Sequence, residues 1–184
     1  MVILSTLAGR LDAGGLHSAG SLGLFISVPV LTGFASALSM GNATKTWYKT
    51  DLKKPSWTPP PWVFGPVWTT LYATMGYASH RIFHLVPRHL RAVPLALYAG
   101  QLALNFAWTP IFFQQQRFGV ATAVITGLWG SIAATAWTFA EYDAPSGWLL
   151  VPYLGWVSYA SALTAWIWRN NPGFRHRQLK KKGN

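Results

Sequence analysis

Hydrophobic positions in this chain come in long uncharged runs, separated by short breaks that, together with the C-terminal tail, hold all the charge beyond Asp12. The first run, Gly20 to about Met40 with Pro29 inside it, is long enough as a helix to cross a hydrocarbon core of about 30 Å. A break with Lys45, Lys49, Asp51, Lys53 and Lys54 leads into a proline-dense stretch. There Pro55, Pro59, Pro60 and Pro61 remove amide donors and exclude a helix interior. Pro61 suits a first helical turn, so a second span begins at Trp62 and runs to about Ser79. After a break with Arg81, Arg88 and Arg91, a third span covers about Leu95 to Phe113. Gln114 to Arg117 turn the chain back, and a fourth span covers about Phe118 to Ala140. Glu141, Asp143, Pro145 and Gly147 form the next break, and a fifth span runs from Trp148 to Trp168. The pattern predicts an all-α integral membrane protein, a bundle of five transmembrane helices over residues 20–171. A small, weakly charged N-terminal tail (1–19) and a basic C-terminal tail (172–184) flank it. Ala35-Ser36-Ala37 resembles a signal-peptide cleavage site, but the segment before it is too long for that reading and the later spans would lose a packing partner.

Composition supports lipid as the solvent. Of 184 residues 51% are hydrophobic and only 10% charged, against about 25% charged in soluble domains. Mean hydropathy is only +0.23, because eleven Trp and seven Tyr score as polar on that scale although they favour bilayer interfaces. The net charge of +11 is unevenly placed. Eleven Lys/Arg fall in loops one and three and the C-terminal tail and four on the other side, which predicts that loop one and the C-terminus face the cytosol. Lys180 to Lys182 read as a solvated or headgroup-contacting run rather than a nucleic-acid arm.

Catalytic constellations are scarce. Asp12, Asp51, Glu141 and Asp143 all fall in the tail or loops, so no buried acid pair is available for proton transfer. Cysteine is absent, and no phosphate loop, dinucleotide fingerprint or Ser/His/Asp arrangement occurs. His80 and His84 stand four apart and can share a helical face. With no carboxylate or cysteine beside them they read as headgroup contacts rather than metal or haem ligands, and neither metal nor cofactor is expected.

Within the spans, Gln101, Asn105, Trp108 and Phe112 recur on one helical face, and amides in lipid are costly, so that face looks inward. Two readings stay open: interhelical hydrogen bonding, or Asn105 and Trp108 lining a cavity. Gly119, Ala123, Gly127 and Ser131 form a small-residue ridge suited to close helix packing. Trp156, Ala160 and Leu163 share a face with Tyr153 one turn before them, which leaves room for a planar guest or makes an ordinary core. Trp148, Trp166 and Trp168 stand near span ends and fit interfacial anchoring.

The stretch Lys54 to Tyr77, KPSWTPPPWVFGPVWTTLYATMGY, resembles the signature of the tryptophan-rich sensory protein and mitochondrial translocator protein family, also called the peripheral benzodiazepine receptor family. PLALYAGQLALNFAWTPIFF (from Pro94) and PYLGWVSYASALTAWIWRNN (from Pro152) agree with it, extending the resemblance from about Leu22 to Asn171. It implies a five-helix membrane bundle enclosing a hydrophobic pocket covered by the first loop, a binder or translocator of porphyrins and other planar hydrophobic ligands, and in animals of cholesterol. By matching positions the pocket would involve Phe64, Val67, Trp68, Asn105, Trp108, Val120, Ala123, Trp156, Ala160 and Leu163, closed by Ala37 and Met40. Trp68 and Trp156 match the two tryptophans that some bacterial members are proposed to use in oxidative or light-driven breakdown of protoporphyrin IX, an enzymatic alternative; a membrane scaffold is a third. The resemblance also implies a homodimer and, in a eukaryote, the mitochondrial outer membrane, with endoplasmic reticulum or a bacterial membrane as alternatives. The chain departs from the pattern at Ala165 and Trp166, where the animal sterol motif has its Tyr, and at Val120 and Thr164, where the family usually carries an aromatic and an Asn.

Overall fold

The structure, a computed structural model, describes residues 2–41, 43 and 46–175, with side chains from residue 20 onward except Ser39. Lys45 and most of the basic C-terminal tail, Lys180 to Lys182 included, lie outside the described residues. The described chain is all-helical: α1 (Val2–Ser39), α2 (Trp47–Thr50), α3 (Pro61–Leu85), α4 (Ala92–Phe113), α5 (Phe118–Tyr142), α6 (Ala144–Trp148) and α7 (Val151–Asn170). Gly20–Leu38 and Phe118–Tyr142 are long and apolar enough to cross a membrane, by length and composition.

Helix ends follow local chemistry. Pro61 opens α3 at a position whose N–H has no intrahelical partner, and Val86, ahead of Pro87, turns extended (φ −85°, ψ 133°) and closes it. Between α4 and α5 the reversal is tight, and Gln116 takes a left-handed conformation (φ 53°) to make it.

Two expectations need correction. The segment read as an N-terminal tail is helical in its backbone from Val2, since no proline precedes Pro29 and Ala and Leu recur through it. The fifth span does not run unbroken from Trp148: α6 ends there and α7 begins at Val151. Asp143 caps α6 by accepting the Ser146 N–H at 3.1 Å. Pro152 then lacks the N–H that a continuous helix would direct to the Trp148 carbonyl.

Packing brings α1 onto α3 and α4, α4 onto α5, and α5 onto α7. The α1–α3 approach is backbone to backbone: a Cβ on Gly76 would stand 2.5 Å from the Phe25 carbonyl oxygen, so only glycine fits that register. The buried face of α5 is Ala121, Ile125, Leu128, Ile132, Thr135 and Phe139, and not the small-residue ridge. Of that ridge Gly119 meets the Trp168 indole, whereas Ala123 is exposed and a Cβ on Gly127 would meet nothing within 4 Å.

Candidate functional site

Four residues on three helices form a polar chain through the centre of the bundle. Tyr72 (α3) donates its hydroxyl to Asn105 Oδ1 (α4) at 2.9 Å, and Asn105 Nδ2 donates to the Tyr153 (α7) hydroxyl at 2.7 Å. Tyr153 in turn donates to Gln101 Oε1 at 3.0 Å, and Gln101 Nε2 approaches Met75 Sδ at 3.9 Å. All are buried, and both ends of the Asn105 amide are used by tyrosines. Asn105 thus makes interhelical hydrogen bonds to both α3 and α7.

Tyrosines of this chain position the tryptophans. Trp68 stacks on Tyr72 (ring centroids 5.3 Å) and meets Tyr153 edge-on at 6.1 Å. One turn further along α7, Trp156 meets Phe64 edge-on at 5.8 Å and stacks on Tyr159 at 5.7 Å. Val67, Trp68, Trp108, Trp156 and Ala160 all pack, partly buried, against one core cluster. Trp108 also stacks on Phe112 at 5.0 Å, joining this cluster to a second that holds Leu163, Phe118 and Phe174.

Three polar atoms in this aromatic interior are buried without a hydrogen-bond partner among the described residues: Trp108 Nε1, Trp156 Nε1 and Ser161 Oγ. A buried indole N–H ordinarily finds an acceptor. Each of these indole N–H groups is a donor left unused by the described residues.

The first loop folds across this end of the bundle. Lys53 N–H donates to Asn171 Oδ1 and Asn171 Nδ2 donates to the Lys53 carbonyl, both at 2.9 Å, tying the loop to the end of α7. Further on, Tyr159 donates its hydroxyl to the Trp57 carbonyl, and the Trp57 ring lies edge-on to Tyr159 at 5.5 Å. Leu52 and Pro55 of this loop are buried, and Trp47 packs among Phe113, Phe118 and Phe174. Lys54 sits over the Tyr48 ring at 4.5 Å, and burial, then the charge of Lys49, lowers its amine below the usual lysine range. The loop is thus tied to α7 at two points, Lys53 to Asn171 and Trp57 to Tyr159, the latter beside Trp156.

Three of the matched positions stand apart from this cluster. Ala37 is exposed on α1, and Val120 and Ala123 are exposed on α5, because α5 turns its larger residues inward. Met40 is half-buried in the turn after α1. Val120 instead borders an outer groove of about 540 Å³ near Arg117, Trp168, Arg169 and Arg175. A second outer groove, about 490 Å³, lies at the opposite end beside Tyr77, Arg81, Trp148 and Pro152. Trp148 and Trp168 are exposed at helix ends as anchors should be, while Trp166 packs inward. Tyr72 and Met75 were not singled out by sequence, although Tyr72 lies one turn from Trp68 on α3.

At that opposite end the Arg81 guanidinium forms a two-pronged pair with Asp143, both contacts 2.9 Å. The Arg81 hydrogen bond holds the Asp143 carboxyl down at about 2. Ser146 Oγ donates to the same carboxylate, so loop chemistry fixes α6 against α3.

Comparison with known proteins places this architecture. The family model described as TspO/MBR family matches residues 25–169. The translocator protein of Sus scrofa is 43% identical over 155 residues, covering 82% of this chain and 90% of that protein. Protein CrtK of Rhodobacter capsulatus is 41% identical over 154 residues (83% and 96%), and the tryptophan-rich sensory protein of Cereibacter sphaeroides is 44% identical over 117 residues (64% and 72%). With a family match over residues 25–169, from within α1 into α7, and relatives aligned over most of their own length, the chain belongs to the TspO/MBR family.

Proposed function

We propose that this membrane protein is a five-helix bundle that binds planar hydrophobic ligands of the porphyrin class in the aromatic interior beneath its first loop, as a binding protein or translocator rather than an enzyme. The observation that carries this reading is the pair of buried, unpartnered indole N–H groups of Trp108 and Trp156 among stacked aromatic rings. Rings offer dispersion and stacking to a macrocycle, and a propionate or carbonyl oxygen would accept from the indoles; an apolar site with a few placed polar groups is the usual form of a small-molecule pocket. The pinned first loop is the element that would open to admit the ligand. Relatives named translocator protein agree with the role.

Degradation of protoporphyrin IX is the second reading. Trp68 and Trp156 each stack on a tyrosine, which supplies neighbouring aromatic rings for electron transfer. Sterol-like ligands fit the same apolar interior, but Ala165 and Trp166 lack the phenol of the animal sterol motif. Titration of protoporphyrin IX into the protein in nanodiscs, following tryptophan quenching and pigment absorption in the dark and in light, separates these. Saturable quenching with intact pigment supports binding. Light-driven loss of pigment beyond one equivalent, abolished in Trp68→Phe/Trp156→Phe, supports the enzyme; no saturable quenching sinks the porphyrin assignment and favours a scaffold.

A further inference from the structure

At the end of α3 remote from the first loop, two histidines point at one atom. His80 Nε2 and His84 Nε2 each lie 3.1 Å from Ser21 Oγ of α1, and their rings are 4.4 Å apart. The Gly76–Phe25 backbone contact sets this meeting. The two helices run antiparallel, so four residues on from Gly76 along α3 corresponds to four residues back from Phe25 along α1, which brings Ser21 opposite His80.

We propose that Ser21, His80 and His84 form a binding site for one divalent transition ion of the Zn²⁺ and Cu²⁺ class. Neutral imidazole nitrogens suit these ions, and two histidines four apart on a helix present their rings to one point on its face. The Ser21 hydroxyl has a single hydrogen. It can donate to at most one of the two Nε2 atoms, so the hydroxyl alone does not supply both rings with a donor. A metal ion takes a lone pair from both, with the Ser21 oxygen or water completing its shell.

The rings are held for this. His80 is 9% exposed and lies edge-on to Phe25 at 5.7 Å, while His84 is edge-on to Phe83 at 5.3 Å and open to solvent, giving an ion a way in. Nearby cations are engaged elsewhere: Arg81 pairs with Asp143, and Arg91 donates to the Phe83 carbonyl at 2.7 Å and stacks on its ring. The expectation that His80 and His84 merely touch headgroups gives way to a geometry in which their Nε2 atoms converge. Because Ser21 belongs to α1 and the histidines to α3, a bound ion would clamp the two helices.

The test uses the full chain without a polyhistidine tag, in phosphatidylcholine nanodiscs, with His17 left in place in every variant. Zn²⁺ calorimetry should give one saturable equivalent, and His84→Ala, at an exposed position, should weaken it at least about tenfold. With Cu²⁺, electron paramagnetic resonance should show two nitrogen ligands in the wild type and one fewer in His84→Ala. His80→Gln covers the buried ring, with folding checked by circular dichroism. Folded wild type that takes up no saturable Zn²⁺, or Zn²⁺ binding and Cu²⁺ spectra unchanged in His84→Ala, would overturn the proposal.

Discussion

Replacing Asn105 by Ala removes the residue that links three helices. Two hydrogen bonds vanish, from the Tyr72 hydroxyl at 2.9 Å and to the Tyr153 hydroxyl at 2.7 Å. Their losses differ. Tyr153 keeps Gln101 as acceptor and forfeits only a donor, whereas Tyr72, 6% exposed, loses the acceptor of its hydroxyl. A buried group left unpaired costs about 1–3 kcal/mol, and an interhelical hydrogen bond in a membrane averages about 0.6 kcal/mol. Together these give about 2 kcal/mol. For a chain of this size that is a fall in Tm of roughly 4–8 °C, read by thermal denaturation in detergent with size-exclusion detection. Tyr72→Phe alone breaks one of the two bonds and leaves Asn105 Oδ1 without its donor, but in the Asn105→Ala background it removes the hydroxyl that would otherwise be stranded. Asn105→Ala/Tyr72→Phe should then be less destabilised than the sum of the single variants. An unchanged Tm in Asn105→Ala, or strictly additive losses in the pair, would refute the reasoning.

Other substitutions probe separate parts of the structure. Trp108→Phe and Trp156→Phe should each lower porphyrin affinity about 2–10-fold, the worth of one hydrogen bond, while leaving the unliganded Tm within about 2 °C, because the deleted N–H has no partner there; fluorescence titration and thermal denaturation read the two effects. Gly76→Ala should lower Tm by several degrees by forcing α1 off α3, whereas Gly65→Ala, with nothing within 4 Å of its Cβ position, should not. The carboxyl of Asp143 is depressed to about 2 from the ordinary 3.8, so its pairing with Arg81 contributes stability that is full above pH about 4 and is lost as pH falls toward 2. Asp143→Asn should remove that part of the acid dependence, measured as Tm against pH.

The all-helical character was legible because long uncharged apolar runs broken by proline and charge leave helix as the element that satisfies the backbone, and two of those runs, Gly20–Leu38 and Phe118–Tyr142, are long and apolar enough to cross a membrane. The inward face of α4 was legible too, since Gln101 and Asn105 are expensive anywhere but the interior. The inward face of α5 was not. In a bilayer both the core and the lipid are apolar, so Gly119, Ala123 and Gly127 carry no sign of which they face, and the bulk of Ile125, Leu128 and Ile132 decides it. The break between α6 and α7 escaped because it rests on one carboxylate cap and one missing amide within a segment that also reads as an ordinary apolar run. Tyr72 escaped because its role lies in a hydroxyl aimed at a residue 33 positions away, which no local pattern reports.

The central claim, an acceptor-bearing planar ligand held by two interior indoles, is tested most directly by ¹⁵N-indole NMR during a protoporphyrin IX titration, with resonances assigned from single Trp→Phe variants. Binding as described predicts saturable downfield shifts of the Trp108 and Trp156 Nε1–H signals, with the exposed indoles of Trp62, Trp137 and Trp148 little changed. Shifts confined to those outer indoles, or no saturable shift at Trp108 and Trp156, would contradict it.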